Sequence, residues 1–146
     1  MTNERDNTGS SPMPILIALG VAVIVLIGLG ISWLVRGDGL TEDQRVGRAA
    51  VGQNDALQRE NYPDFRKYTC VAKQASESEV VARQQQSKST HGARFVDDVT
   101  AVKIDGERAT ATVVYHFEKT PDKRIESPMT FVREDGDWKV CSPGPV

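Results

Sequence analysis

Two cysteines, two histidines and three tyrosines are the side chains of this 146-residue chain best suited to act as nucleophile, base or proton donor. Cys70 and Cys141 form an isolated pair. Such a pair is more often a disulfide outside the cytoplasm than a metal site, which needs about four ligands. Two free buried thiols are the alternative. Bonded, the pair would close a loop of about 70 residues, which the chain-entropy model values at up to about 4 kcal/mol. That is a large share of the ~5–15 kcal/mol that holds a small domain together. A catalytic cysteine is the sharper reading, but neither cysteine stands beside a histidine in sequence.

His91 lies in a polar Ser/Thr/Gly stretch and reads as solvated. His116 falls on a strand face with Thr110 and Thr112. With an ordinary pKa of about 6.5 it suits a general base lining a pocket, although a partly exposed sheet histidine is the plainer reading. Tyr115 falls on the opposite, apolar face with Val113 and Phe117. Its hydroxyl either meets a bound ligand or bonds backbone inside a core, the second being the common case. Asp64, after Pro63 in a first helical turn, suits dipole stabilisation better than proton transfer. Asp97 and Asp98 are adjacent in a strand, so they point to opposite faces and do not share a site. No metal-ligand spacing and no phosphate-binding glycine loop occurs, since Gly28-Leu29-Gly30 lies inside an apolar run. No cofactor and no metal is expected.

Helices must position the first half of these residues. Thr41-Glu42-Asp43-Gln44 has the form of a capping box, and Val46, Ala49, Ala50 and Leu57 then recur at near-helical spacing through about Arg59. Asn61-Tyr62-Pro63-Asp64 opens a short helix carrying Phe65, Tyr68 and Cys70. Ser76-Glu77-Ser78-Glu79 is a second capping box. The polar helix behind it is expected to fray into Ser89-Thr90-His91-Gly92.

From Arg94 the hydrophobic period becomes two. Phe95–Ile104 reads as a Val-rich strand. Asp105-Gly106 supplies a hairpin turn, because both residues accept the positive φ angles it needs. The strand Glu107–Glu118 puts Ala109, Ala111, Val113, Tyr115 and Phe117 on one face. Thr120-Pro121-Asp122-Lys123 reads as a turn into a strand over Arg124–Glu134, where Pro128 implies an edge or a bulge. Asp135-Gly136 turns into Asp137–Cys141. Helices followed by a four-stranded antiparallel meander make an α+β domain.

Ile15 to Val35 is free of charge. At 1.5 Å per residue this run forms a helix of about 31 Å, the thickness of a bilayer's hydrocarbon core, so the sequence predicts one spanning helix in contact with lipid. The leader MTNERDNTGSSPMP has one basic residue, the run is too long for a secretory signal, and Trp33 and Arg36 read as interfacial anchors. An uncleaved anchor is therefore expected. The resulting division is a disordered cytoplasmic tail over 1–13, a transmembrane helix over 14–36, a hinge over 37–40, one domain over 41–142 and a tail over 143–146. Arg5 before the span against Arg36, Arg45 and Arg48 after it favours a cytoplasmic domain if taken literally. Long domains, however, translocate largely regardless of charge, and the cysteine pair favours the outside.

The chain carries 18 basic and 20 acidic residues, a net charge of −2. Residues 39–146 keep 16 and 17 of them with the signs interspersed, which argues against nucleic acid as a partner.

The order of elements over 41–142 resembles the nuclear-transport-factor-like superfamily, which includes SnoaL-like cyclases and ketosteroid isomerases. The resemblance rests on Asp55-Ala56-Leu57, Asn61-Tyr62-Pro63-Asp64-Phe65 and Glu134-Asp135-Gly136-Asp137-Trp138-Lys139-Val140-Cys141. With the upstream span and Cys70, the chain is similar to small actinobacterial membrane-anchored proteins of this fold, described as lumazine-binding-like. It is also similar to accessory proteins of mammalian-cell-entry lipid transporters.

The resemblance implies a cone of about three helices on a curved four-stranded sheet, with a pocket between them. On that reading the Cys70–Cys141 bond pins helix to sheet at the wide end, and Tyr68, Tyr115 and His116 are the candidate pocket residues. Tyr62 and Asp64 are further groups of the kind such cones contain, but no set of residues matches a family catalytic pattern. The function expected is a single-pass extracytoplasmic binding or accessory domain without catalysis, for an envelope protein complex or a small apolar ligand. A homodimer through the open sheet is another expectation. The alternative is a SnoaL-like enzyme (isomerase, cyclase or dehydratase type) acting on a hydrophobic small molecule.

Overall fold

The computed structural model describes residues 39–143, and the expected membrane span and both expected tails fall outside or at the margin of that range. Among the described residues, no helix is long and apolar enough to cross a membrane. Three α-helices precede four strands: α1 (Glu42–Gln58), α2 (Tyr62–Tyr68), α3 (Glu77–His91), β1 (Arg94–Asp105), β2 (Arg108–Phe117), β3 (Thr120–Glu134) and β4 (Asp137–Val140). The strands form one sheet in the order β1-β2-β3-β4, antiparallel throughout, as the meander requires. The α+β architecture expected from the change of period is the one found.

Both capping boxes form. Thr41 and Gln44 satisfy each other's backbone N–H at the start of α1, and Ser76 and Glu79 do so at the start of α3. Helix α1 buries Val46, Ala49, Ala50, Gln53 and Ala56, so its inner stripe ends at Ala56 and leaves Leu57 half-buried. Small residues on that stripe let the helix lie close to Ala109, Ala111 and Val113 of β2, with Met129, Phe131, Trp138 and Val140 completing the core. A second cluster of Ala56, Phe65 and Val80 joins the three helices to one another.

Several boundaries differ from the sequence expectation. Helix α2 stops at Tyr68 and excludes Cys70, because Thr69 turns extended and bridges to Val140 in parallel while the Cys70 N–H donates to the Val140 carbonyl at 2.9 Å. Helix α3 does not fray at Ser89 but runs through His91. Gly92 caps it with φ 80°, and Lys119 Nζ donates to the carbonyls of Ser89 and Thr90 at 2.5 and 3.3 Å, placing a cation at the negative end of the helix. Strand β3 begins at Thr120, with Phe117 pairing Thr120, so Thr120–Lys123 is strand and the turn is Glu118-Lys119. Pro121 costs no ladder bond there, since β4 is short and pairs only with Phe131–Glu134.

Pro128 occupies the same open edge. Two residues on, the Thr130 N–H points outward to Ser142 Oγ, so the nitrogen of Pro128 faces the side where β4 does not reach. The first hairpin turns at Gly106-Glu107, one residue later than expected, because Asp105 pairs with Arg108; the last turns at Asp135-Gly136, both at positive φ. Two one-residue bulges bend β1. Asp97 is the extra residue of the first, and the second follows Thr100, where Ala101 takes φ 51°.

Cys70 and Cys141 are joined by a disulfide, with Cα atoms 5.2 Å apart. It fastens the segment after α2 to the residue that follows β4, and Cys141 N–H also donates to the Thr130 carbonyl at 2.8 Å.

Candidate functional site

A hollow of about 700 Å³ opens between α1, α2, α3 and the segment after β4. That volume lies within the range of small-molecule sites, about 300–1,000 Å³. Helix α3 makes the hollow possible: its N-terminal half reaches Ala56 and Phe65 through Val80, while the Gln-rich remainder buries only Gln84. Leu57, Phe65 and Val80 form the apolar wall.

Polar residues make up most of the rest of the lining, and Gln53, Thr69 and Arg94 among them are fixed by buried hydrogen bonds. Gln53 Nε2 donates to Thr69 Oγ1 at 2.8 Å, both side chains being buried. Arg94, at the first position of β1, is 4% exposed. Its Nε donates to Asn54 Oδ1 at 2.7 Å, its carbonyl accepts from Asn54 Nδ2 at 3.2 Å, and its own N–H donates to Gln58 Oε1 at 3.2 Å. Helix α1 therefore grips β1 through two amides one turn apart. Burial lowers the Arg94 pKa from its ordinary value, and the neighbouring Tyr115 acts in the opposite direction. Burial likewise raises the Tyr115 phenol, with Arg94 opposing. A guanidinium stays charged under such conditions. Exposed Lys73 and Arg83 stand at the rim, and among the described residues no Asp or Glu lines the hollow.

The residues singled out in the sequence lie in three places. Tyr68, Tyr115 and His116 are not among the residues lining this hollow. Tyr115 is buried in the core with its ring edge-on to Phe117, centroids 5.6 Å apart. Tyr68 lies against Gly52 of α1, where an added Cβ would approach its ring to 2.6 Å. His116 faces the other side of the sheet, where its Nδ1 is 2.8 Å from Asp97 Oδ2, its ring stacks on Phe95 at 5.2 Å, and Arg124 Nε stands 3.2 Å from the same Asp97 oxygen.

His91 is on the last turn of α3 and not in a loop. It lines the hollow, its ring 4.8 Å from that of Phe117. Asp64 is an ion-pair node: the hydrogen bond from Lys67 at 2.8 Å, with Arg59 at 3.3 Å, holds its carboxyl below the usual range. Tyr62 donates its hydroxyl to the Ala75 carbonyl at 2.7 Å. Among the described residues no group of His, Cys, Asp and Glu is arranged to hold a metal ion.

Neither Arg94 nor the Asp97–His116 contact is legible in the sequence. Arg94 marks a strand boundary there, and its bonds to Asn54 and Gln58 reach 36 to 40 residues upstream. Asp97 meets His116 because a bulge re-aims it, and nothing in a Val-rich strand announces a bulge.

Residues 54–142 match the family model described as low molecular weight antigen MTB12, C-terminal domain. No curated protein matches the chain. Among solved structures, a proposed NTF2-like transpeptidase from Campylobacter jejuni is 19% identical, with 64% of this chain and 94% of that one covered and a TM-score of 0.45. A proposed dehydratase of the NTF2-like family from Streptomyces avermitilis is 15% identical over 68% and 90% of the two chains, with a TM-score of 0.46. A SEC-C motif containing protein from Rhodopseudomonas palustris is 14% identical over 73% and 92%, with a TM-score of 0.45.

Proposed function

The chain belongs to the family of the MTB12 C-terminal domain, and from that premise we propose that it is a membrane-anchored, extracytoplasmic binding domain of cone-like, nuclear-transport-factor-like form that takes a small apolar ligand. The observation that carries this reading is the hollow beneath α3, where Leu57, Phe65 and Val80 form an apolar patch beside polar residues of which Gln53, Thr69 and Arg94 are held by neighbours. Such groups orient a ligand, which is the usual composition of a binding pocket. The disulfide supports an oxidising location, and the charge-free run Ile15 to Val35 supports the anchor.

The test is a titration of the full chain in phosphatidylcholine nanodiscs with the neutral fluorophore N-phenyl-1-naphthylamine, empty discs subtracted. Saturable fluorescence that Gln84→Trp abolishes is the expected result. A response no greater than that of empty discs overturns the reading.

A second reading, a SnoaL-like enzyme acting on a hydrophobic small molecule, draws on one observation. Asp97 holds His116 through Nδ1, the relation of an orienting carboxylate to a general base. That pair faces away from the hollow, on the side of β2 opposite the buried row Ala109 to Phe117, so the binding reading is the stronger.

A further inference from the structure

Helix α3 buries two side chains, Val80 and Gln84, which stand four residues apart and so share one face of the helix. An apolar residue is the ordinary occupant of such a position, yet here an amide side chain is 6% exposed. Gln53 of α1 is equally buried and has its partner, Nε2 donating to Thr69 Oγ1 at 2.8 Å. Gln84 has no counterpart to that bond: among the described residues nothing hydrogen-bonds its side chain. Nor is the amide walled in. The unpaired side-chain atoms sealed off among the described residues are Arg45 Nε and Arg133 Nε, so the oxygen and the nitrogen of Gln84 both keep an opening on the hollow that this residue lines.

A buried donor and acceptor without partners cost stability, and an arriving group that supplies both partners recovers it. A side-chain amide carries an accepting oxygen beside a donating N–H. It is matched by a group with the same pair in reverse order, as glutamine matches the neighbouring donor and acceptor of adenine. The simplest neutral groups of that kind are a primary amide and a lactam. Val80 lies one turn from Gln84 on the same helix, and Leu57 and Phe65 share the lining, so a ligand held at Gln84 finds apolar surface for the rest of its body.

We propose that Gln84 is the specificity-determining residue of the hollow and selects a neutral, apolar-bodied ligand by its primary-amide or lactam group. The ligand N–H donates to Gln84 Oε1 and the ligand carbonyl accepts from Nε2. The proposal rests on the reading of the hollow as a binding pocket and specifies what that pocket selects. Hydrogen-bond pairing is the discriminating property, so a ligand of equal length that cannot donate leaves the Gln84 oxygen unpaired and binds less tightly.

The experiment compares decanamide, N,N-dimethyldecanamide and methyl decanoate by calorimetric titration into the full chain in phosphatidylcholine nanodiscs, with empty discs subtracted. Decanamide binds at least tenfold more tightly than either of the others, which keep the carbonyl and lack the N–H. Gln84→Met, which keeps the length of the side chain without its amide, brings decanamide to within about twofold of the ester. A preference below tenfold on the unaltered chain overturns the assignment while leaving an apolar pocket, the Gln84 amide then being served by water. Binding of none of the three overturns the pocket and the selectivity together. Both of these outcomes are read on the unaltered chain and do not depend on how well a Gln84 variant folds. A preference that survives Gln84→Met places amide recognition on another residue and overturns the proposal as well.

Discussion

The indole Nε1 of Trp138 donates to Glu42 Oε2 at 2.9 Å, joining residues 96 apart in sequence. The same carboxylate oxygen pairs with Arg133, whose guanidinium lies over the Trp138 ring, 4.6 Å from its centroid. Glu42 is also the first residue of α1, so its carboxylate holds the start of that helix to the β3–β4 hairpin.

The Trp138 hydrogen bond, with Arg133 and Arg45 adding to it, lowers the Glu42 pKa below its ordinary 4.5. Because the folded value is the lower one, the unfolded chain takes up the proton first as pH falls. The stabilisation is thus fully present above about pH 4.5 and is lost as pH drops through the lowered folded value. Glu42→Gln is expected to melt below the unaltered chain at pH 7, with the two melting temperatures converging towards pH 3. Trp138→Phe, which keeps a ring under Arg133 but removes the donor, should lose most of the pH dependence that Glu42→Gln loses. Thermal denaturation from pH 7 to pH 3 reads both, and a gap that stays constant would show that the carboxylate charge is irrelevant.

The contrast between what is legible in the sequence and what is not follows from the range of the forces involved. Capping boxes act over three residues, so Thr41–Gln44 and Ser76–Glu79 can be read from the chain and both form. Strand alternation acts over two, so the inward row from Ala109 to Phe117 is equally plain. The Glu42–Trp138 clamp and the inward turn of Arg94 depend on partners brought together only by the closed fold. Bulges hide for a different reason. One extra residue at Asp97 has no compositional mark, yet it shifts every later side chain of β1 relative to β2 and delivers a carboxylate to His116. The end of α3 differs from expectation because Lys119, thirty residues on, satisfies carbonyls that a local reading leaves to water.

Removing the Cys70–Cys141 bond releases a loop spanning 71 residues. The chain-entropy model puts the cost at about 4 kcal/mol for the double variant Cys70→Ser/Cys141→Ser. Urea denaturation with and without reductant measures it, and reductant should shift the unaltered chain alone. In intact cells, a membrane-impermeant maleimide should label the chain only after treatment with an impermeant reductant. Labelling without reductant, or only after lysis, would remove the support for an oxidising location.

Gly52 is a helix-interior glycine that alanine would normally improve by about 1 kcal/mol. Here an added Cβ would come within 2.6–2.7 Å of three ring atoms of Tyr68. The ring has to swing away and loses its seat on α1, a cost of the overpacking kind, about 1–3 kcal/mol. Gly52→Ala is therefore expected to destabilise by about 1 kcal/mol net in the native background and to stabilise by a similar amount once Tyr68→Ala has removed the ring. A double-mutant cycle by urea denaturation checks the reversal of sign. Stabilisation by Gly52→Ala in both backgrounds would mean that the ring yields at no cost.

His116 and Asp97 supply the sharpest division between the two functional readings, because their contact faces away from the hollow. The side chains are 18% and 25% exposed, held at 2.8 Å, with Arg124 sharing the carboxylate. If the domain binds its ligand beneath α3, His116→Asn leaves affinity for N-phenyl-1-naphthylamine within about twofold, equivalent to less than about half a kcal/mol. It lowers stability only slightly, since a single side-chain hydrogen bond contributes about 0.5–1.5 kcal/mol net. Asp97→Asn behaves alike, for the bulge that aims this residue is set by the backbone register and not by its charge. If His116 is instead a general base, either variant removes turnover of a hydrophobic substrate while the fold persists. Probe titration and thermal denaturation of both variants decide the matter: a tenfold loss of probe affinity from His116→Asn, without loss of fold, would place the ligand on the outer face of the sheet and sink the pocket reading.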